Sequence, residues 1–472
     1  MSKWNVGLAI ALGLPLLVGL GCNNSSIGGE SLDDAGVGED LTPPPPPPIP
    51  GCTGACVVNT SCPSAMGPTT ITGTVTIPSG LLPLYNAKVY IPSGTSIPPA
   101  PVSGATCDRC DAVSSEIAST TTDINGNFVL NNVPSGSNIP LIIKVGKWRK
   151  VITLPAITDC TTTKLAAADT RLPRNQNEGN IPRIALSVGS ADAMECILRN
   201  KKLGLDDKEF TTETGTGRVN LYAGANGVTK FAANLNGGAA FTAAAVQPAK
   251  SWWDDINNWT KYDIVMLSCE GNELMTYKSP QALQNMETYL GMGGRVFASH
   301  YHYGWIKNAD ATKQQIQKVV TAWNPTAGPD PATENVDTTT AKGTALADWL
   351  MLPAVAGSTQ RGKLAVGGAR YSVASIDPKL TQRWVYYPPA TGNPIPQYFS
   401  FNAPVGATAS AQCGQMVFTD LHISGGGTAP YDTSPNGGTF PTTCSSTSLS
   451  PQEKALIFML FDLTNCLTPI VG

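Results

Sequence analysis

The 472-residue chain carries 31 basic and 34 acidic side chains, so its formal net charge is only -3. Hydrophobic residues make up 42% of the chain, which is enough to build sizeable buried cores and excludes a disordered protein. Charged residues make up 14%, against about 25% in typical soluble domains. Because acidic and basic groups nearly balance, we expect no nucleic-acid partner bound through a basic face.

Residues 1–21 have the pattern of a secretory signal. Lys3 precedes an apolar run at 6–20, which is shorter than the ~20 residues that a membrane-spanning helix needs. The run ends in Gly-Leu-Gly before Cys22, and this string resembles a bacterial lipoprotein signal, in which the cysteine receives the lipid. The resemblance, with Asn23 rather than aspartate after the cysteine, implies an exported protein anchored by lipid to the outer membrane or cell surface of a Gram-negative bacterium. An ordinary cleaved signal with an incidental cysteine is the alternative.

Residues 22–66 have no periodic apolar pattern and contain six consecutive prolines at 43–48. Polyproline adopts an extended rod without internal hydrogen bonds. We therefore interpret this segment as a cysteine-containing linker that holds the body of the protein away from the membrane.

The chain has 12 cysteines, which fits an oxidising compartment and a set of disulfides. If Cys22 carries lipid, an odd number remains, so at least one thiol stays free when the others pair. The Cys-x-x-Cys string at 107–110 lacks the second pair that zinc sites require, and we interpret it as a disulfide-bearing loop. We expect two of Cys413, Cys444 and Cys466 to pair with each other.

Residues 67–170 alternate between apolar and polar positions, with turn signals between the runs. The pattern predicts a small antiparallel β-sandwich, with Asn125-Gly126 as the turn of a hairpin. The predicted strands lie at 71–77, 87–91, 120–122, 128–130 and 139–145. The strings ITGTV, NAKVYIP and TTTDINGNFVLNNVPSGSNIPLIIKVG resemble the carboxypeptidase-regulatory-like domain of transthyretin type. That resemblance implies a structural or ligand-presenting module rather than an enzyme.

Residues 171–472 alternate between strand and helix patterns, which predicts a flavodoxin-like α/β domain with a mostly parallel sheet. Strands are predicted at 184–188, 262–267, 295–299 and 415–419, and helices at 192–202, 279–290 and 451–463. The strings YDIVMLSCEG, GGRVFASH and GQMVFTDLH resemble class I glutamine amidotransferases, and more closely their trehalose-utilisation-protein-like branch. His300 stands where those enzymes place the nucleophilic cysteine, so the resemblance implies no glutaminase activity. The two-part layout also resembles uncharacterised exported proteins of Gram-negative bacteria.

All three histidines of the chain follow predicted strands, where open α/β sheets bind their ligands. His300 and His302 are two residues apart, so on an extended segment both imidazoles point the same way. With His422 they could hold a zinc-like divalent metal, for which Glu270 or Asp420 would serve as a further ligand or as the general base. The alternative is that these polar residues only fill the strand ends.

A rival chemistry uses Cys269 as a nucleophile with His300 as its base, although a disulfide or a buried thiol is the simpler interpretation of Cys269. Aromatic residues near the strand ends could stack on sugar rings or could form core packing. These residues are Tyr301, Tyr303, Trp305, Trp252, Trp253 and Trp259.

We therefore expect a membrane-anchored envelope lipoprotein with a non-catalytic binding or structural role, whose ligand is a glycan or a protein. The alternative is a metal-dependent hydrolase that acts on carbohydrate or amide substrates through the three histidines. The sequence predicts no cofactor other than this metal.

Overall fold

The computed structural model describes residues 47–108, 116–244, 252–423, 432 and 434–468. The predicted signal, the lipidation at Cys22 and most of the proline run lie outside these residues. None of the described helices is long and apolar enough to cross a bilayer. Part of the predicted linker is not a spacer, because Ile49 is buried and Cys62 is disulfide-bonded to Cys160.

The first part of the described chain forms a β-sandwich. One sheet has the strand order β4-β1-β7 and the other has the order β3-β2-β5-β6. The strands are β1 (Thr70–Thr74), β2 (Lys88–Pro92), β3 (Glu116–Thr121), β4 (Asn127–Asn131), β5 (Pro140–Val145), β6 (Trp148–Thr153) and β7 (Thr162–Lys164).

The predicted hairpin around Asn125-Gly126 is wrong. The turn itself forms, because the Asp123 carboxylate accepts hydrogen bonds from the backbone N–H groups of Asn125 and Asn127 at 2.9 and 2.8 Å. However, β3 pairs with β2 and β4 pairs with β1, so the turn connects the two sheets. Gly73 in β1 makes room for the Phe128 ring, since a Cβ there would lie 2.7 Å from it.

The second part of the chain is an α/β structure. Its elements are α1 (Ala167–Thr170), β8 (Ile184–Val188), α2 (Met194–Ile197), β9 (Phe210–Thr211), β10 (Val219–Ala223), β11 (Thr242–Ala243), α3 (Ile256–Thr260), β12 (Ile264–Leu267), α4 (Pro280–Gly291), β13 (Arg295–Ser299), α5 (Gly304–Lys307), β14 (Val320–Trp323), β15 (Ala332–Val336), α6 (Ala341–Met351), β16 (Lys363–Val366), β17 (Val373–Ile376), β18 (Thr381–Tyr387), β19 (Ile395–Ala403), β20 (Gly414–Thr419) and α7 (Pro451–Thr464).

The large sheet is mixed rather than mostly parallel. Its order is β11-β10-β8-β12-β13-β20-β19-β18-β15-β16, with β9 beside β10. Pairing is parallel from β11 to β20 and antiparallel from β20 to β16. A short loop at 388–394 joins β18 to β19, and only antiparallel neighbours can be connected so briefly.

Two of the three predicted helices are confirmed. Ser279 caps α4 by accepting a hydrogen bond from the backbone N–H of Ala282, and Ser450 and Glu453 form a capping box at α7. The predicted helix at 192–202 is reduced to the four residues of α2. The chain turns after α2, and the buried Lys202 ammonium pairs with the carboxylates of Asp432 and Glu453.

The sandwich and the α/β part share a continuous apolar core. The Tyr85 ring stacks on Phe458 of α7 at 6.0 Å, and the Trp349 indole N–H of α6 donates to the Pro83 carbonyl at 3.0 Å. The opposite face of the large sheet is covered by a second core, which includes residues of α4 and β17.

The expected disulfides are present, but the expected pairing near the C-terminus is wrong. Cys413 bonds Cys107 and Cys444 bonds Cys196, because strand and helix packing brings residues distant in sequence together. Cys466 is also disulfide-bonded. Among the described residues Cys269 is the free thiol, and it is buried.

Candidate functional site

The candidate site lies at the carboxyl edge of the parallel half of the large sheet. The chain passes from β8 to β10 on one side and then returns to β12 on the other side of β8. Such a reversal of strand order opens a crevice beyond the carboxyl ends of the two central strands. Cys269 follows β12, His300 follows β13 and His422 follows β20, so this edge collects side chains from separate strands.

Cys269, His300 and His422 form one cluster. Each offers a ligand atom, and these three atoms lie within 4.8 Å of one another. The Cys269 Sγ is 3.5 Å from the His300 Nδ1, and the His422 Nε2 is 2.9 Å from the same nitrogen. Cys269 and His300 are buried, whereas His422 is partly exposed, so the cluster reaches the surface through His422.

The backbone at His300 explains this geometry. His300 has a φ of +35°, in the left-handed region that a non-glycine residue rarely adopts, and it begins a 3-10 helix spanning His300–Tyr303. In a 3-10 helix successive side chains are rotated by about 120°, so His300 and His302 point in different directions. The prediction that both imidazoles share one face is therefore wrong.

His302 lies outside the cluster. Its Nε2 donates to the Ser268 carbonyl at 2.8 Å, and its Nδ1 accepts a hydrogen bond from the Trp305 indole N–H at 3.1 Å. Both ring nitrogens are thus used within the core, and Cys269 takes the place in the cluster that was predicted for His302.

The two predicted carboxylates are held by other groups. Glu270 accepts from the Lys278 ammonium and from the backbone N–H of Ala225, both at 3.1 Å. The Asp420 Oδ2 accepts from the backbone N–H groups of Ser372 and Val373 at 2.5 and 3.1 Å.

Asp192 is a site residue that sequence reasoning missed. Its carboxylate accepts from the Ser299 hydroxyl and from the backbone N–H of Ile423, both at 2.7 Å. The Ser299 hydroxyl in turn accepts from the backbone N–H of Cys269 at 2.9 Å. Asp192 thereby joins the segments that carry Cys269, His300 and His422. Its place just beyond β8, the central strand, was the signal available in the sequence.

The cluster is uncharged at neutral pH. Burial, with smaller contributions from the neighbouring His422 and Arg370, lowers the pKa of His300 to about 2. Burial also lowers the pKa of His422. Burial, followed by the Asp192 carboxylate, raises the pKa of the Cys269 thiol to about 12. Two neutral imidazoles and one protonated thiol therefore face one another.

The aromatic residues beside the site are mostly core residues, which favours the core-packing interpretation over a sugar-stacking surface. Trp253 packs edge-to-face on Trp252 at 4.8 Å and on Trp305 at 5.5 Å, and all three are buried. Trp259 is also buried, whereas Tyr301 is partly exposed.

Comparison with known proteins gives a limited likeness. No family model matches the chain, and no curated protein matches it. Among solved structures, a cytoplasmic protein from Salmonella typhimurium is 13% identical, with 60% of this chain and 99% of that chain covered and a TM-score of 0.28. A ThuA-like protein from Bacteroides uniformis is 11% identical, with 51% of this chain and 82% of that chain covered and a TM-score of 0.26. At these identities and TM-scores the likeness carries no argument about function.

Proposed function

We propose that this chain is a membrane-anchored lipoprotein of the bacterial cell envelope and that its body has a non-catalytic binding role. Export is supported by the signal-like string before Cys22 and by disulfides such as Cys107–Cys413, which fit an oxidising compartment. Membrane anchoring is supported by Cys22, which directly follows the signal-like string as the lipid-bearing cysteine of a bacterial lipoprotein does.

One observation carries the non-catalytic part of the proposal: the groups that could drive hydrolysis are held elsewhere or inactive. Glu270 is bound by Lys278, and Asp420 is bound by two backbone N–H groups. The Cys269 thiol is fully buried and its pKa is raised, so it supplies little thiolate for attack on a substrate. Because both carboxylates make these contacts and the thiol is protonated, the arrangement favours binding over turnover.

Anchoring is tested by expressing the full chain and a Cys22→Ala variant in a Gram-negative host supplied with labelled palmitate. We expect label in the wild-type chain, which sediments with membranes, and neither label nor sedimentation in the variant. Equal palmitate label in the two chains, or no label in either, would contradict the proposal that Cys22 carries a lipid anchor.

The second candidate is a metal-dependent hydrolase for carbohydrate or amide substrates. The partial exposure of His422 favours it, because a bound ion could then meet solvent and activate water without a carboxylate base. The purified chain, with and without added zinc, is tested on panels of glycoside and amide substrates. Zinc-dependent turnover that disappears in His422→Ala would replace the non-catalytic proposal, and no turnover in either condition would support it.

A further inference from the structure

The three donors at the carboxyl edge of the sheet are the kind that bind transition metals. Cys269 offers a sulfur, and His300 and His422 each offer a ring nitrogen. Thiolate and imidazole ligands suit zinc and copper, whereas magnesium and calcium require oxygen donors. We propose that Cys269, His300 and His422 bind one transition-metal ion of the zinc and copper class; this inference rests on the proposed binding role and identifies its ligand.

The spacing of the donor atoms supports this proposal. With bond lengths of about 2.3 Å to sulfur and about 2.0 Å to nitrogen, a tetrahedral zinc ion holds a sulfur and a nitrogen about 3.5 Å apart and two nitrogens about 3.3 Å apart. The distance from the Cys269 Sγ to the His300 Nδ1 is 3.5 Å, which meets the sulfur–nitrogen value. The two histidine nitrogens are 2.9 Å apart, so metal binding must replace their hydrogen bond and separate them by about 0.4 Å.

The surroundings can balance the charge of an ion. On binding, the Cys269 thiol releases its proton to solvent and becomes a thiolate, which supplies one negative charge. Backbone hydrogen bonds from Tyr301 and Gly271 favour that thiolate, and the Asp192 carboxylate acts electrostatically on both Cys269 and His422. A divalent cation would therefore meet about two compensating negative charges in a buried setting.

Asp192 also positions the ligands. It bonds the backbone of Ile423, next to His422, and the hydroxyl of Ser299, next to His300. Outer groups that fix ligand segments are a common part of metal sites, and their loss typically weakens metal affinity by about 10–100-fold.

The test uses cobalt(II) as a spectroscopic probe on the full chain, purified in detergent and stripped with a chelator. We expect one equivalent of cobalt to bind with a near-ultraviolet sulfur-to-cobalt charge-transfer band and the visible bands of a four-coordinate ion. Zinc should displace it, and a large excess of magnesium should not.

Variants locate the ion. Cys269→Ser, which keeps the side-chain size, should lose the charge-transfer band, and His422→Ala should weaken cobalt affinity by more than about 100-fold, beyond the loss expected for an outer group. His302→Gln is the matched control, because His302 is bonded to Ser268 and Trp305 instead, and its cobalt affinity should stay within about threefold of wild type. Thermal unfolding of each variant reports whether it is folded.

Two results would overturn the proposal. One is the absence of cobalt binding by folded wild-type protein, and the other is binding whose spectrum is unchanged in Cys269→Ser. Neither result affects palmitate labelling or the lack of turnover, so the envelope binding role would stand with a different ligand. Metal binding accompanied by zinc-dependent turnover would instead uphold the site and overturn the non-catalytic role.

Discussion

Two buried carboxylates, one in each half of the large sheet, have different surroundings. In the parallel half, between β11 and β20, the Glu270 carboxylate is paired with the Lys278 ammonium, and both side chains are at most 3% exposed. In the antiparallel half, between β20 and β16, Glu334 is fully buried, and neither of its carboxylate oxygens has a hydrogen-bond partner among the described residues.

Strand direction accounts for this difference. Parallel strands all end at one edge, so side chains and loops that follow them meet there and can pair with one another. Antiparallel strands end at opposite edges in turn, and a polar residue within such a strand, like Glu334 in β15, faces mainly its own sheet neighbours. Glu270, which follows a parallel strand, thus meets a cation from a neighbouring loop, whereas Glu334, within β15, meets none in the part of the chain that the structure describes.

The largest effect is expected from breaking the pair in the parallel half. Lys278→Met leaves Glu270 buried without its cation, and the loss of one partner of a buried ion pair typically costs about 3–5 kcal/mol. We expect the free energy of unfolding, measured by denaturant titration at pH 7, to fall by that amount. The double variant Glu270→Gln/Lys278→Met is the control and should recover most of the loss. A cost below about 1 kcal/mol for Lys278→Met would show that the pair does not distinguish this half.

The next largest effect is the pH dependence of stability that Glu334 causes in the antiparallel half. Burial, with a contribution from the Asp420 carboxylate, raises the pKa of Glu334 to about 8, above its ordinary value of 4.5. Between these values the folded state keeps a proton that the unfolded state has lost, so stability falls as pH rises. Glu334→Gln removes this dependence. We expect the free energy of unfolding of the variant to equal that of wild type near pH 5. Between pH 5 and 8 it should exceed the wild-type value by about 1 kcal/mol more for each pH unit.

Glu178 gives the matched control because its pKa moves in the opposite direction. Its hydrogen bonds with Arg171 lower its pKa to about 2, so its contribution is present above about pH 4.5 and is lost as pH falls through 2. Glu178→Gln should therefore leave unchanged the slope of the free energy of unfolding against pH between pH 5 and 8. An unchanged slope in Glu334→Gln as well would mean that Glu334 titrates normally.

The sequence predicted elements well where local signals determine them. The strand at 295–299 is confirmed as β13, and the caps of α4 and α7 are the serines that the sequence indicated. It did not predict the pairing of β18 and β19 or the sheet change at Asn125-Gly126, because long-range packing decides which strands become neighbours.

The sequence indicated the edge of the sheet at which the cluster lies and two of its three members. Strand ends pointed to His300 and His422, since the carboxyl edge is a property of the fold. His302 was included on the assumption of an extended backbone, and the 3-10 helix that begins at His300 turns it into the core. Cys269 was considered only as a nucleophile or a structural thiol, because a spacing of 31 residues from His300 gives no local sign of contact.

The smallest effect compares two helices that pack on the large sheet. α4 packs on β20 and β19, where the two halves meet, and is capped by Ser279. α6 contacts β15 of the antiparallel half and is capped by Thr340. Replacing either cap by alanine should cost about 1 kcal/mol. Ser279→Ala should cost more, because serine caps better than threonine and because its hydroxyl also donates to the Asp254 carboxylate. Denaturant midpoints of both variants, measured in one buffer, show which substitution costs more stability. A larger cost for Thr340→Ala would mean that the cap of α6 matters more to the fold than the cap of α4.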